Sequence, residues 1–281
     1  SPASSPPCAA RRSGPPATPS PRPVSPPSQP ELAGVLNVGK PAGWTSHDVV
    51  AVARGALRVR RLGHGGTLDP LARGVLPLLV GRATRFADRL HTAPKVYAAR
   101  VRFGWETTTD DREGERTRVA PPPPLDAARL EAVLDGFRGE IAQVPPAFAA
   151  VKVGGRRAYT LARAGVDVAL PERRVTIHRI APADQGPDEL ALLVVCSTGT
   201  YVRSLARDLG RALGSAAHLH DLVRLAVGAL DARDALDVER VRALHPASAA
   251  AALRPADDRL LVLDPRYLSL PAAALLAEAA P

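Results

Sequence analysis

A glycine-rich stretch, GHGGTLDPLARG, occupies residues 63–74 and carries one carboxylate, Asp69. It has neither the GxxxxGKS/T spacing of a phosphate-binding P-loop nor the GxGxxG spacing that opens a dinucleotide-binding helix. Pro70 follows the aspartate and disfavours helical backbone at Asp69, and glycines at 63, 65 and 66 are expected to leave the backbone open to a bulky ligand. The pattern predicts an open site with a carboxylate at its floor; the alternative is that Asp69 only caps a turn.

An arginine and two tyrosines are candidate companions of this carboxylate. Arg203 lies in GTYVRSL (199–205), where a predicted helix follows a buried strand. A guanidinium there can pair with a carboxylate, keep it ionised and hold both of its oxygens. Tyr97 and Tyr201 each lie at the start of a predicted strand or helix, where a ring can stack on a planar ligand or pack in the core. Together these residues predict an ionised acid beside aromatic surfaces.

Hydrophobic patterns predict the elements that must position these residues. Strands are predicted at residues 34–38, 75–80, 96–103, 148–153, 174–180, 190–197 and 224–230, and helices at 45–57, 84–90, 125–137, 159–165 and 201–213. The polar stretch at 106–115 predicts a loop, and Thr45 with Asp48 resembles a capping box. Strands joined by both hairpins and helices predict an α+β fold with a mixed, mostly antiparallel central sheet flanked by helices.

Composition divides the chain into three parts. Residues 1–30 contain eleven prolines and no acidic residue, which predicts a disordered tail; an organellar transit peptide is the alternative. Residues 31–245 are predicted to form the main folded domain. Residues 246–281 are rich in Ala and Pro with weak periodicity, and they predict a short appendage or a frayed tail.

Charge and cysteine content limit the class of protein. The chain has 37 Lys and Arg against 28 Asp and Glu, a formal charge of +9, which favours a polyanionic partner, nucleic acid before an acidic membrane surface. Cys8 and Cys196 match neither a zinc spacing nor a disulfide framework. No run approaches the length of a transmembrane helix. These features predict a reduced, cytoplasmic protein.

Five sequence blocks carry a family resemblance. In chain order they are GVLNVGKPAGWTSHDVV, GHGGTLDPLARGVLPLLVGRATR, KVYAARVRFG, VPPAFAAVKVGGRRAYTLARAG and CSTGTYVRSLARDLG. In this order and at this spacing they resemble the TruB family of tRNA pseudouridine synthases, from about residue 34 to residue 242. The resemblance implies the pseudouridine synthase fold and isomerisation of the T-loop uridine at tRNA position 55 by an aspartate, after the base is flipped out of its stack.

The resemblance also implies a role for each site residue. Asp69 falls on the catalytic aspartate and Arg203 on its partner. Tyr97 corresponds to the residue that stacks on the target base, Tyr201 and Leu222 line the same pocket, and His64 helps to hold the loop nucleotides apart. No cofactor or metal is implied, and the expected partner is the T-arm of tRNA, bound by a monomer without an obligatory protein partner or a membrane.

Departures from the family pattern and rival functions complete the predictions. Gly66 stands where many members have threonine, Thr108 replaces an aspartate, and Ala149 replaces a serine. The resemblance implies that residues 31–245 form the catalytic domain and that residues 246–281 are at most a truncated remnant of the C-terminal RNA-binding domain of many members. GGRR (154–157) is predicted to be either a phosphate-contacting loop or a solvated turn. The rivals are a guide-RNA-dependent pseudouridine synthase, a non-catalytic RNA-binding protein on the same fold, and a carbohydrate hydrolase with paired carboxylates.

Overall fold

The computed structural model describes residues 32–149, 152–153, 156–157 and 170–278, with the backbone alone at 152–153 and 156–157. The tail predicted at 1–30 and the helix predicted at 159–165 lie outside the described residues. So do both glycines of the GGRR stretch and the side chains of its two arginines.

The elements are numbered here in chain order. The strands are β1 (Gly34–Lys40), β2 (Leu62–His64), β3 (Arg73–Val80), β4 (Lys95–Phe103), β5 (Trp105–Thr107), β6 (Arg116–Val119), β7 (Gly139–Gln143), β8 (Lys152–Val153), β9 (Arg156–Arg157), β10 (Arg173–Gln185), β11 (Glu189–Cys196), β12 (Ala217–Val227) and β13 (Leu230–Asp231). The α-helices are α1 (Ser46–Leu57), α2 (Ala87–Thr92), α3 (Ala127–Asp135), α4 (Val202–Ala212), α5 (Val238–Arg242), α6 (Arg266–Ser269) and α7 (Ala272–Ala277). Short 3-10 helices span Gly81–Phe86, Ala232–Asp234, Ala249–Ala252 and Asp258–Leu261.

One large sheet organises the described residues. Its strand order is β1-β3-β12-β4-β11-β10-β7, with β2 added to β3 and β13 added to β12. Neighbouring strands pair antiparallel except β12 and β3, which pair in parallel at Val223–Arg73 and Arg224–Gly74. The predicted α+β fold with a mixed, mostly antiparallel sheet is confirmed.

Alternation along β4 explains how the sheet is covered on both faces. Ala99, Val101 and Phe103 pack on one face with the apolar residues of α3 and α4, whereas Val96 packs on the other with Tyr267 of α6. Helices α1 and α5 cover the end of the sheet formed by β1 and β3. Tyr97 shares its side of β4 with the residues under α4, because side chains alternate along a strand.

Several element boundaries differ from the predictions for local reasons. The capping box is confirmed, since Thr45 Oγ1 accepts from the Asp48 amide and Asp48 accepts from the Thr45 amide. Residues 106 and 107, predicted as loop, complete β5. Strand β12 begins at Ala217, seven residues before its prediction, because the polar residues of AHLHDLV interrupt the apolar pattern. Strand β7 was not predicted: it is an edge strand exposed at most positions.

The C-terminal residues pack against the same sheet. Arg254 pairs with Val35 of β1, and Tyr267 is buried with its hydroxyl donating to Asp231 at 2.9 Å. The division of the chain at residue 245 stays a prediction. Within the described ranges, no helix combines the length and the apolar character needed to cross a bilayer.

Candidate active site

Asp69 lies on a loop, residues 65–72, that connects β2 to β3. The two strands pair antiparallel, so the loop closes a hairpin. Leu68 and Leu71, on either side of the acid, are 4% and 2% exposed, whereas the Asp69 side chain keeps 40% of its surface exposed. The leucines anchor the loop in the core, and the carboxylate faces outward.

The glycines of this stretch serve packing more than ligand access. A Cβ on Gly65 would lie 2.5 Å from Cδ2 of Leu90, while Gly63 has open space around it. Gly66 is buried and has a φ of +136°. The prediction that all three glycines leave the backbone open was therefore wrong for Gly65, whereas Gly66 borders the cavity described below. A threonine at Gly66, as the resemblance led us to expect in many relatives, would be strained at this φ.

The segment before and at the start of α1 holds the loop from one side. Ser46 Oγ donates to the Leu68 carbonyl at 3.2 Å and accepts from the Leu68 amide at 2.9 Å. Lys40 is 1% exposed, and its Nζ donates to the carbonyls of Pro41, Trp44 and Pro70. Burial lowers the pKa of Lys40 to about 8.

Arg203, on the first turn of α4, pairs with Asp69 as predicted. Its Nε lies 2.9 Å from Asp69 Oδ2, an ionic contact without an aligned hydrogen bond. Nη1 donates to the Thr109 carbonyl at 3.0 Å and Nη2 to the Phe148 carbonyl at 3.2 Å. The expected grip on both carboxylate oxygens is therefore wrong, because the two terminal nitrogens are bound elsewhere.

The loop after β5 lies behind Arg203. Asp111 Oδ2 is 3.5 Å from Arg203 Nη1, and Asp110 Oδ2 is 2.7 Å from Arg207 Nη1 one helical turn further along α4. Both acids are nearly buried, and burial raises the pKa of Asp110 to about 6 against the opposing pull of Arg207. Thr108, the departure from the family pattern, is exposed, so the neighbouring aspartates make the contacts of this loop with α4.

A cavity of about 320 Å³ opens beside the Asp69–Arg203 pair. Five of the predicted site residues line it: Asp69, Tyr97, Tyr201, Arg203 and Leu222. The rest of its wall comes from residues 66–68, 197–200 and 202, His91, Lys95 and Arg224. The structure thus assembles, in one cavity, residues that are up to 158 positions apart in the chain.

The two tyrosines enter the cavity from different elements. Tyr97 lies on β4, and burial raises the pKa of its hydroxyl, which Arg224 opposes. Tyr201 is the N-cap of α4 and is fixed by Gln143, which accepts from its amide at 2.8 Å and donates to its carbonyl at 3.0 Å. The Arg173 guanidinium lies 5.5 Å from the Tyr201 ring centroid. Gln143 therefore fixes the backbone of Tyr201, and Tyr97 packs against the hydrophobic core.

His64 is not among the residues that line the cavity. It ends β2, and its ring centroid lies 5.6 Å from that of His47 in an edge-on arrangement. Burial lowers the pKa of His64, so the neutral ring is favoured. His64 therefore lies beside the loop of Asp69 but outside the cavity.

Sequence reasoning missed two cations in the cavity, Lys95 and Arg224. They are 6% and 2% exposed, and in the described part of the chain neither has a carboxylate oxygen within 4.0 Å. Burial, with a smaller contribution from the neighbouring charge of Arg224, lowers the pKa of Lys95 to about 8. The signal that was available is a basic residue within an apolar strand, KVYAARV for β4 and LVRLAV for β12.

The lining of the cavity suits a ligand in which an uncharged planar group is attached to an anionic backbone. The described residues contain no group of three or more His, Cys, Asp or Glu side chains placed to hold a metal ion. The acid is held by an arginine, aromatic and aliphatic surfaces lie beside it, and buried cations line the wall. Such a site can bind a flat base and bring an ionised carboxylate to its sugar.

Comparison with known proteins gives the same picture. Residues 54–202 match the N-terminal domain of the TruB family of pseudouridylate synthases. The chain is 49% identical over 227 residues to tRNA pseudouridine synthase B of Symbiobacterium thermophilum, covering 78% of this chain and 76% of the relative. It is 43% identical over 243 residues to the protein of that name from Geobacillus kaustophilus, covering 84% and 85%.

Solved structures resemble the fold over a smaller share of their length. An H/ACA ribonucleoprotein bound to a substrate RNA containing 2′-deoxyuridine matches with 28% identity and a TM-score of 0.54, over 73% of this chain and 51% of that one. An archaeal box H/ACA complex matches with 26% identity and a TM-score of 0.59, over 81% and 61%. The chain therefore spans between half and two thirds of these solved chains.

Proposed function

Because the chain belongs to the TruB family of pseudouridylate synthases, it forms pseudouridine in tRNA, and we propose that its target is the T-loop uridine at position 55. The choice of this uridine follows the family resemblance, and the observation that supports catalysis here is the contact of 2.9 Å between Arg203 Nε and Asp69 Oδ2 at a cavity that two tyrosines also line. A protein that only binds RNA gains nothing from a carboxylate facing an anionic ligand.

Binding requires the target nucleotide to leave its stack. A uridine inside a folded tRNA loop is inaccessible, so it is flipped into the cavity, where Tyr97 stacks on the base and Tyr201 and Leu222 complete the apolar wall. His64, which lies next to the loop of Asp69 and whose pKa is lowered by burial, helps to hold the neighbouring loop nucleotides apart. The positive charge of the chain compensates the phosphates.

The reaction is an isomerisation in which atoms balance without a second substrate. The N1–C1′ bond of the uridine breaks, the uracil turns, and a bond forms between C5 and C1′; C5 loses a proton and N1 gains one. Asp69 is the catalytic residue and acts in its ionised form, either by adding covalently to the nucleoside or by removing a ribose proton. Arg203 favours the ionised form and aims the carboxylate, because an adjacent fixed cation stabilises negative charge.

The partner is tRNA alone. We propose that a monomer binds the T-arm without an obligatory protein partner and that it does so in the cytoplasm. The H/ACA structures are assemblies of more than one component, and a reaction on tRNA without added guide RNA or protein would distinguish this chain from them.

The test is incubation of the purified full chain with an unmodified tRNA transcript, followed by chemical mapping of pseudouridine at each uridine. We expect a signal at position 55 without any other RNA or protein. A transcript whose position 55 is cytidine is the matched control. Modification only at other uridines, or only after a guide RNA is added, would refute the proposed target.

A further inference from the structure

The backbone around Asp69 is bonded at five consecutive carbonyls. The carbonyls of Gly66 and Thr67 accept from Arg224, that of Leu68 from Ser46 Oγ, that of Asp69 from the Ala72 amide, and that of Pro70 from Lys40 Nζ and the Gly43 amide. Loops usually leave much of their backbone to water. This loop is held by the protein instead, and Arg224 supplies the contacts on the side of the cavity.

One guanidinium connects the two limbs of the hairpin that carries Asp69. Arg224 Nη2 donates to Gly66 O at 3.1 Å and Nη1 to Thr67 O at 3.3 Å on the incoming limb. Its Nε donates to Val75 O at 2.7 Å on the outgoing limb. The distance between the limbs, and with it the path of the backbone through Asp69, is therefore set by a rigid planar group.

The parallel pairing of β12 with β3 brings Arg224 to this place. Arg224 is opposite Gly74 in the register, and Gly74 has a φ of +103°. A Cβ on Gly74 would lie 2.3 Å from the Arg224 carbonyl oxygen, so only glycine permits the two strands to approach this closely. Glycine at position 74 is therefore required for Arg224 to lie where it does.

The burial of Arg224 is difficult to explain by stability alone. The side chain is 2% exposed, and its hydrogen bonds among the described residues go to neutral carbonyls. Burying a cation without an anionic partner costs several kcal/mol. An apolar residue would serve the core better, which indicates that the guanidinium serves the loop.

We propose that Arg224 is a positioning residue for the reaction: it holds the Asp69 loop at the geometry in which the carboxylate meets Arg203 and the target sugar. The inference rests on the proposed function for its catalytic part. Lysine keeps the charge but cannot donate to three carbonyls in one plane across the two limbs. A displacement of about 1 Å at a reacting group can cost a hundredfold in rate.

The experiment compares the wild-type chain with Arg224→Lys and Arg224→Met. Single-turnover rates are measured on an unmodified tRNA transcript at saturating enzyme, with the dissociation constant from filter binding. Hydrogen exchange by mass spectrometry is followed in peptides that cover residues 65–75. We expect Arg224→Lys to lose about a hundredfold in rate, to bind the transcript within about threefold of wild type, and to exchange faster in those peptides only.

Arg266→Lys is the matched control for loss of a buried arginine. Arg266 joins Asp231, Tyr267 and Glu278 in the C-terminal segment, away from the cavity. We expect this variant to lower the melting temperature at an unchanged single-turnover rate. If Arg266→Lys loses as much rate as Arg224→Lys for an equal fall in melting temperature, the effect of Arg224 is general destabilisation and the proposal is wrong.

The two readouts separate this proposal from the proposed function. A wild-type chain that leaves the transcript unmodified refutes the function, and the exchange data then decide the role of Arg224: faster exchange confined to residues 65–75 supports it, and unchanged exchange overturns it. With an active wild type, an Arg224→Lys enzyme at wild-type rate overturns the proposal. If Arg224→Met does not fold, the lysine variant carries the test alone.

Discussion

Arg203 meets Asp69 through Nε alone, 2.9 Å from Oδ2, while the carbonyls of Thr109 and Phe148 hold its two terminal nitrogens. The guanidinium is thereby oriented before any ligand binds. The ion pair is made by an arginine that cannot follow the carboxylate, so the position of Asp69 must come from its own loop. Both partners of the pair are fixed independently, which is the preorganisation that a reaction at a flipped nucleotide requires.

Asp69→Asn is expected to reduce pseudouridine formation by at least about a thousandfold, because the amide keeps the shape but loses the negative charge. Binding of the transcript should stay within about threefold, since the substitution removes no phosphate contact. The measurement is single-turnover formation with a parallel binding assay. Asp184→Asn, at an exposed position of β10, is the control and should match wild type. A well-folded Asn variant with more than a tenth of the wild-type rate would show that Asp69 is not the catalytic residue.

Arg203→Lys is expected to lose about a hundredfold in rate, and Arg203→Leu more. An ammonium cannot reach Asp69 and both carbonyls together, and leucine also removes the cation that favours the ionised acid. Single-turnover rates of the wild type and both variants test this. A wild-type rate in Arg203→Leu would break the pairing even if Asp69 remained essential.

Asp110→Asn is expected to change how stability depends on pH. Burial raises the pKa of Asp110 from 3.8 to about 6, so between these values the folded chain binds more protons than the unfolded chain. Stability contributed by this group is then greatest at low pH and declines as pH rises toward 6. The neutral amide lacks this decline, so the melting temperature of the variant should rise relative to wild type between pH 4 and 7. A difference that is constant over this range contradicts the prediction.

The affinity for tRNA is expected to depend steeply on salt. If Lys and Arg side chains neutralise several phosphates, the logarithm of the association constant falls linearly with the logarithm of salt concentration, with a slope of roughly the number of contacts. Filter binding of the Asp69→Asn variant from 50 to 300 mM KCl measures the slope without turnover. A nearly flat response would mean that the formal charge of +9 is incidental to binding.

Much of the site was predictable because it is carried by short motifs. GHGGTLDP and GTYVRSL identified Asp69 and Arg203, and the structure places them in contact. The strands that bear Tyr97 and Cys196 were predictable from apolar runs. Strand β7 was not, because it is an exposed edge with little apolar pattern, although its Gln143 fixes Tyr201. The first half of β12 was missed for a different reason, since its His and Asp residues interrupt the apolar pattern of a strand that lies inside the sheet.

The sequence by itself determined the family, the α+β class, and the acid and arginine of the site, because each rests on local patterns of residue type and spacing. The tertiary structure alone decided the single-point contact of Arg203, the burial of Asp110 and the contacts of Arg224. The contacts of the two arginines depend on backbone carbonyls, which every residue possesses and which leave no mark in a sequence. Arg224 reaches Gly66, 158 positions away, because a parallel pair of strands brings them together, and no local pattern encodes that pairing.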